Sequence, residues 1–275
     1  MREILILFIS FLFLKSPHKS TGKDEDRLFY DAVRAEASGD ILSAITLYKA
    51  ASLHSHSANL HGNLANLYFK TEDYGRSILH YRKALFLNPS NREFSENLNF
   101  ANEVAGLNSF QNENSIYFAA SSSNYWIIFS VFLFWVGFVL FSLFYYLGWM
   151  IKKMIPFLIL WLSIFVLSIW GIYSSQENLA LLEHEVIALK VSSKDGNQTE
   201  SKLNLRRFAG SGSSANTKVK YGESLFLSSV KGNLIKSHKS KNGKAWYLVR
   251  TRDSRKKGWV EKSEIGWVLD SPQKN

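Results

Sequence analysis

Asn63-Leu-Ala-Asn-Leu-Tyr68, then Asp73-Tyr74, then Ile78-Leu-His-Tyr81-Arg-Lys-Ala84-Leu85, closed by Asn88-Pro89, sets the architecture of the helical part. Leu60, Leu64 and Leu67 recur at helical spacing, Asp73-Tyr74 reads as a turn, and Ile78, Tyr81, Ala84 and Leu85 form a second apolar face that stops before a proline. Two short helices joined by a tight turn follow. Sliding the chain along itself by 33 positions places Ala32 over Ala65, Ala44 over Ser77, Tyr48 over Tyr81 and Ala51 over Ala84, so the unit is repeated. In the earlier copy Ala44, Tyr48 and Ala51 fall at i, i+4 and i+7, and small residues flanking one aromatic let a neighbouring helix approach closely.

Leu64, Ala65, Tyr68, Tyr81, Ala84 and Pro89 stand where the tetratricopeptide repeat carries its signature, and the segment resembles that family. The resemblance implies an all-α solenoid that binds proteins: a first repeat over 25–57, a second over 58–91, and a capping helix beginning at Arg92 that brings the array to residue 106. The first copy departs from the signature at Asp31 and His56. Along the helix expected over Ala58–Lys70, Asn59, Asn63, Asn66 and Lys70 make a polar stripe opposite Leu60, Leu64 and Leu67, and these four are candidate partner-binding residues. The Lys/Asn carboxylate clamp of some relatives is not matched, since Phe29 and Val33 occupy the first helix.

On the N-terminal side, Arg2 precedes an apolar run from Ile4 to Leu14, too short to span a bilayer comfortably, so 1–22 reads as a signal peptide or N-terminal anchor. On the other side, a linker over 107–124 leads to Tyr125–Ile151, 27 residues without a charge, and Met154–Gln176, 23 more. Each is long enough for a spanning helix, which needs roughly 20 apolar residues. Residues 125–176 therefore read as a transmembrane helix hairpin turning at Lys152 and Lys153, with Pro156 in the first turn of its second arm. Lysines at the turn and interfacial aromatics at Tyr125, Trp126, Trp170 and Tyr173 place the turn in the cytoplasm and both soluble parts outside. Neither arm holds an ionisable side chain, so the hairpin offers no proton relay and reads as an anchor.

Residues 177–275 read as a linker and a small β module. Short apolar runs at Leu203–Leu205, Leu225–Leu227, Trp246–Val249 and Gly258–Val260 are punctuated by Gly222, Gly232, Gly243 and Gly258. Val186-Ile-Ala, Leu205-Arg206, Tyr221-Gly-Glu, Trp246-Tyr-Leu-Val and Gly258-Trp-Val260, in that order, resemble a bacterial SH3-like domain, which implies a small all-β barrel. A Gly- and Ser-rich insertion at Ala209–Thr217 departs from the compact pattern. Trp246 and Trp259 are the candidate partner-binding aromatics here.

Composition sharpens the class. The net charge of +10 is concentrated in residues 176–275, with 19 Lys/Arg against 10 Asp/Glu. Ten of those cations lie between Lys236 and Lys262, enough to draw anionic lipid or wall polymers such as peptidoglycan; an outside location leaves nucleic acid out of the expected partners. The absence of Cys excludes disulfides and thiolate chemistry. No hydrolase, zinc-protease or phosphate-loop motif is present, and the chain is expected to be a non-enzyme without cofactor. His54 and His56 have no acidic neighbour, and no metal site is assigned. Asn197-Gln-Thr199 matters as a sequon only in a host that glycosylates.

The fold class is thus a multidomain membrane protein: a tetratricopeptide-repeat solenoid, a two-helix transmembrane hairpin and a small SH3-like barrel. That layout resembles the BatE-type proteins of the bacterial aerotolerance (Bat) clusters. The resemblance implies an envelope scaffold in the bacterial inner membrane, with both soluble parts periplasmic, working with membrane-anchored von Willebrand type A domain proteins. The competing expectation is a cell-wall sensor or adaptor whose SH3-like domain binds peptidoglycan.

Overall fold

A computed structural model of the chain describes residues 22–107, 113–148, 151–190, 202–230, 234–240 and 243–269. The apolar run at 4–14 and the sequon at 197–199 lie outside them. The chain divides into two compact units, Met1–Ser55 and His56–Asn275.

The first unit holds α1 (Gly22–Ala37) and α2 (Ile41–Ser52) packed on each other. Gly39, at φ +82°, makes the reversal, and the Asp40 carboxylate caps α2 by accepting from the Ser43 amide at 3.1 Å. Hydrogen bonding from Ser43 holds that carboxyl below its ordinary range. Ala32, Ala44, Tyr48 and Ala51 are buried between the helices, with Phe29 edge-on to Tyr48 at 5.6 Å.

The second unit opens with α3 (Ala58–Lys70), α4 (Tyr74–Leu87) and α5 (Arg92–Val104). Each starts at a side chain that accepts a backbone amide of its first turn: Ser57 from Leu60, Asp73 from Arg76, and Asn91 from Phe94. Such caps are worth about 1 kcal/mol each and fix where the helices begin. Within 107–124, read from sequence as a linker, Glu113–Ser121 forms α6, which packs on α4 through Tyr117 and Ala120.

Two long apolar helices follow, α7 (Ser123–Tyr146) and α8 (Ile151–Glu183). Their limits differ from the uncharged runs. Gly148, at φ +68°, follows the end of α7, whose last turn is closed by the Leu147 amide on the Leu143 carbonyl. The second arm starts at Ile151, so Pro156 sits inside the helix, past the first turn expected for it, and removes one ladder hydrogen bond there. At its far end α8 runs on to Glu183, where Leu179 and Leu182 join a core with residues of α4, α5 and β1.

The arms interlock by size. The Trp161 indole lies against Gly137, and the Trp126 indole against Gly171, so a Cβ on either glycine would overlap a ring. Trp161 Nε1 donates to the Leu133 carbonyl at 2.9 Å, and Ser130 Oγ donates to Ser168 Oγ at 2.9 Å. Small residues that let backbones approach, with serines bonding across, are how apolar helices associate without a hydrophobic drive between them. Both helices are long and apolar enough to cross a membrane, and only 11% of the most apolar window of each is buried, unlike the core helix of a soluble domain.

The strands are β1 (Glu185–Ala188), β2 (Lys202–Arg206), β3 (Ala215–Lys220), β4 (Ser224–Leu227), β5 (Ser229–Val230), β6 (Leu234–Ile235), β7 (Ser237–Lys239), β8 (Ala245–Thr251), β9 (Lys257–Glu261) and β10 (Ile265–Trp267). They form an antiparallel sheet in the order β10-β1-β4-β8-β9-β2-β3, with β7 also on β8 and a separate β5-β6 hairpin. Among the described residues β10 and β3 do not pair, so the sheet is open and the closed barrel expected from sequence does not form. Part of the Gly- and Ser-rich insertion, from Ala215, is already strand β3.

β1 explains how sheet and helices join. Successive strand residues point to opposite faces: Val186 and Ala188 enter the core of the sheet with Leu205, Val219, Leu225, Val249 and Val260, whereas Ile187 and Leu189 enter a second core with Ile78, Leu79 and Leu85 of α4 and Leu98 of α5. All four residues of β1 are buried. Close approach is permitted by Gly266, where a Cβ would overlap Leu79, and by Gly222, whose φ of +87° no larger residue adopts easily and whose Cβ would meet Ile78 at 2.6 Å. Burying Ile187 and Leu189 alone favours this junction by about 1.5–3 kcal/mol each.

Candidate functional site

Because the sheet packs on α4, the face of the repeat carried by α3 and α5 is left for other contacts. Asn59 and Lys70 are exposed, Asn63 and Asn66 partly so, opposite the buried Leu60, Leu64 and Leu67. The four stripe residues do not have equal duties. Asn66 Oδ1 accepts from the buried Tyr81 hydroxyl, tying α3 to α4. Burial, with the Glu93 charge adding to it, pushes the Tyr81 phenol up to about 12, against the hydrogen bond with Asn97. Tyr81 is therefore a neutral donor that fixes three helices, and Asn59, Asn63 and Lys70 make up the outward part of the stripe.

Phe94 of α5 covers Gly62 of α3, which sets the two helices side by side. On the same helix Phe100 is 55% exposed and lies 5.4 Å from Phe69, next in sequence to Lys70. Phe100 is thus an apolar surface residue packed on Phe69 near the C-terminal end of α3. Sequence reasoning missed Phe100. The signal was its phase: Phe94, Leu98 and Ala101 define the buried stripe of α5, and Phe100 falls off it.

A stack of side chains joins α3 to α4. Arg76 lies over the Tyr68 ring at 5.9 Å, Tyr68 stacks on His80 at 5.4 Å, and His80 Nδ1 is 3.1 Å from His61 Nδ1. One imidazole must donate and the other accept, so the two are not both protonated at these nitrogens. Burial raises the Tyr68 phenol above its ordinary value. Among the described residues no three metal-ligating side chains gather.

On the sheet, the two candidate tryptophans separate. Trp246 is 1% exposed, with the Arg206 guanidinium 5.6 Å over its ring, and it belongs to the interior. Trp259 is partly exposed on β9, opposite Arg206 of β2 and Leu248 of β8.

The family model of the tetratricopeptide repeat matches residues 58–91, the span of α3 and α4 with the turn that follows. Proteins with this repeat are generally non-enzymatic adaptors between proteins. No curated protein matches the chain.

Proposed function

We propose that the chain is a non-enzymatic, membrane-anchored adaptor that binds a partner protein along α3 and α5, through Asn59, Asn63, Lys70 and Phe100. One observation carries the reading: the sheet packs on α4, while Asn59 and Lys70 of α3 and Phe100 of α5 stay at the surface. In this reading α7 and α8 cross the membrane as a hairpin. Lys152 and Lys153 at the start of α8 favour a cytoplasmic turn, which puts the repeats and the sheet together on the extracytoplasmic side of a bacterial inner membrane. The order of repeats, hairpin and SH3-like sheet supports an envelope scaffold of the Bat type, with von Willebrand type A domain proteins of the same membrane as the partners.

Affinity purification of the full chain from detergent-solubilised membranes tests this. Phe100→Ala is expected to reduce co-purifying membrane proteins by an amount equivalent to about 2 kcal/mol, the cost of losing a buried aromatic anchor, and Lys70→Glu to reduce them further. Unchanged recovery in both variants would overturn the assignment of this face. The exposure of Trp259 favours one second reading, a wall-binding adaptor. Its mark would be recovered peptidoglycan fragments that disappear on Trp259→Ala while the Phe100 variant retains them.

A further inference from the structure

We propose that a cavity where α6 and the end of α8 meet the sheet binds the phosphate of an anionic phospholipid headgroup. The site depends on the proposed crossing of the membrane by α7 and α8, and it shares no residue with the stripe on α3.

The cavity holds about 100 Å³; Ile116 of α6 and Leu181 of α8 form one wall, and Phe226 of β4 and Arg250 of β8 the other. The strand register builds the second wall. Glu185 lies opposite Phe226, Phe226 opposite Arg250, and Arg250 opposite Lys257, so the four make one row across β1, β4, β8 and β9. Directly opposed residues share a face of the sheet, and on β1 this is the face that carries Ile187 into the core with α4. Burial falls along the row: Glu185 is buried, Phe226 partly so, and Arg250 and Lys257 are exposed.

The charges along the row do not balance. Glu185 is committed to Arg82. Arg250 donates to the Ser254 hydroxyl at 2.6 Å, a neutral partner, and among the described residues Lys257 makes no ion pair. The nearby acids are taken, Asp253 by Arg255 at 3.4 Å and Glu223 by Lys256 at 3.9 Å. Arg252, which also lines the cavity, has contacts of its own, so Arg250 and Lys257 carry the site. Two cations directly across a strand pair destabilise it, and an anion lying over them removes that cost.

Three features select a phospholipid headgroup among anions. The first is depth. The uncharged run of α8 ends at Gln176, and Leu181 lies five residues further on, about 8 Å along a helix that rises roughly 1.5 Å per residue. The headgroup layer is about 5–7 Å deep on each side of the hydrocarbon, so the cavity stands at the level of the lipid phosphates. The second is size: about 100 Å³ is well below the roughly 300–1,000 Å³ of a cleft that encloses a whole ligand, so a headgroup enters while its acyl chains stay in the bilayer. The third is chemistry, since the guanidinium fork of Arg250 matches phosphate oxygens and Leu181 and Phe226 offer apolar surface to the glycerol carbons.

Native mass spectrometry of the full chain in detergent, titrated with dioleoylphosphatidylglycerol and separately with dioleoylphosphatidylcholine, tests this. The unaltered chain is expected to bind the anionic lipid about tenfold more tightly than the zwitterionic one. Arg250→Glu/Lys257→Glu is expected to weaken phosphatidylglycerol binding about tenfold, with Arg250→Gln/Lys257→Gln falling between. Both positions are exposed and the Arg82–Glu185 pair is untouched, so these variants keep the fold. Lys239→Glu, an exposed charge change on β7, is expected to leave the affinity within about twofold. The proposal is overturned if the two lipids bind alike, if Lys239→Glu weakens binding as much as the paired change, or if inorganic phosphate at equal concentration displaces the phosphatidylglycerol, the mark of a free-anion site. Release of the chain from membranes by alkaline carbonate would defeat the membrane reading, and with it the lipid as the source of the phosphate, separately from the binding assay.

Discussion

Replacing Glu185 by Leu is expected to destabilise the full chain by about 3–5 kcal/mol, because it removes the carboxylate that pairs with the buried Arg82 guanidinium. Both side chains are 6% exposed, and their ion pair joins α4 to the first residue of β1 across 103 positions of sequence. The same strand face carries Ile187 into the core, so the pair lies beside the apolar contacts that hold the sheet on the repeat. Arg82→Met/Glu185→Leu is expected to recover most of the loss, since two apolar side chains of similar volume avoid burying any charge. Urea unfolding of the detergent-solubilised chain, read by pulse proteolysis, measures both. A loss below about 1 kcal/mol in the single variant, the range of an exposed ion pair, would mean that the junction is not buried in solution.

The second large effect concerns the hairpin. Gly137→Leu places a branched side chain where the Trp161 indole lies, and overpacking of this kind costs about 1–3 kcal/mol. Because the chain has no Cys, Ser130→Cys/Ser168→Cys reports on closure directly: the two hydroxyls are 2.9 Å apart, and thiols there are expected to form a disulfide readily. Adding Gly137→Leu is expected to lower the yield about tenfold, the consequence of about 1.4 kcal/mol against the closed pair. Equal yields would show that α7 and α8 do not pack in this register.

Local features were legible in the sequence. The matched repeat, the two apolar helices and the antiparallel strands each declare themselves by a spacing: Leu60, Leu64 and Leu67 for a helix face, uncharged runs for α7 and α8, and Gly-bounded apolar segments for the sheet. What joins them was not. Arg82 sits in the repeat like any surface arginine until β1 brings Glu185 against it, and Ile187 alternates with Val186 in a way that reveals two buried faces only once α4 is in place. The strand order was not legible either: among the described residues the sheet ends at β3 and β10, which do not pair. On the face of α3 the asparagine spacing was visible, but not that Asn66 is committed to Tyr81, a residue 15 positions further on in α4. That Lys202 faces Lys220 depends on the β2–β3 register, which single-strand patterns leave open.

In the proposed topology the chain crosses a bilayer twice and returns, so that the repeat and the sheet meet on one side. Three single-cysteine variants test it most directly: Ser90→Cys beside the repeat, Ser254→Cys on the β8–β9 turn, and Leu147→Cys at the end of α7, the first two at exposed positions flanking the hairpin in sequence. Each is treated with a membrane-impermeant maleimide in intact spheroplasts. The account predicts that Ser90→Cys and Ser254→Cys are modified while Leu147→Cys is modified only after lysis. Modification of Ser90→Cys without Ser254→Cys, or the reverse, would place the repeat and the sheet on opposite sides and contradict it.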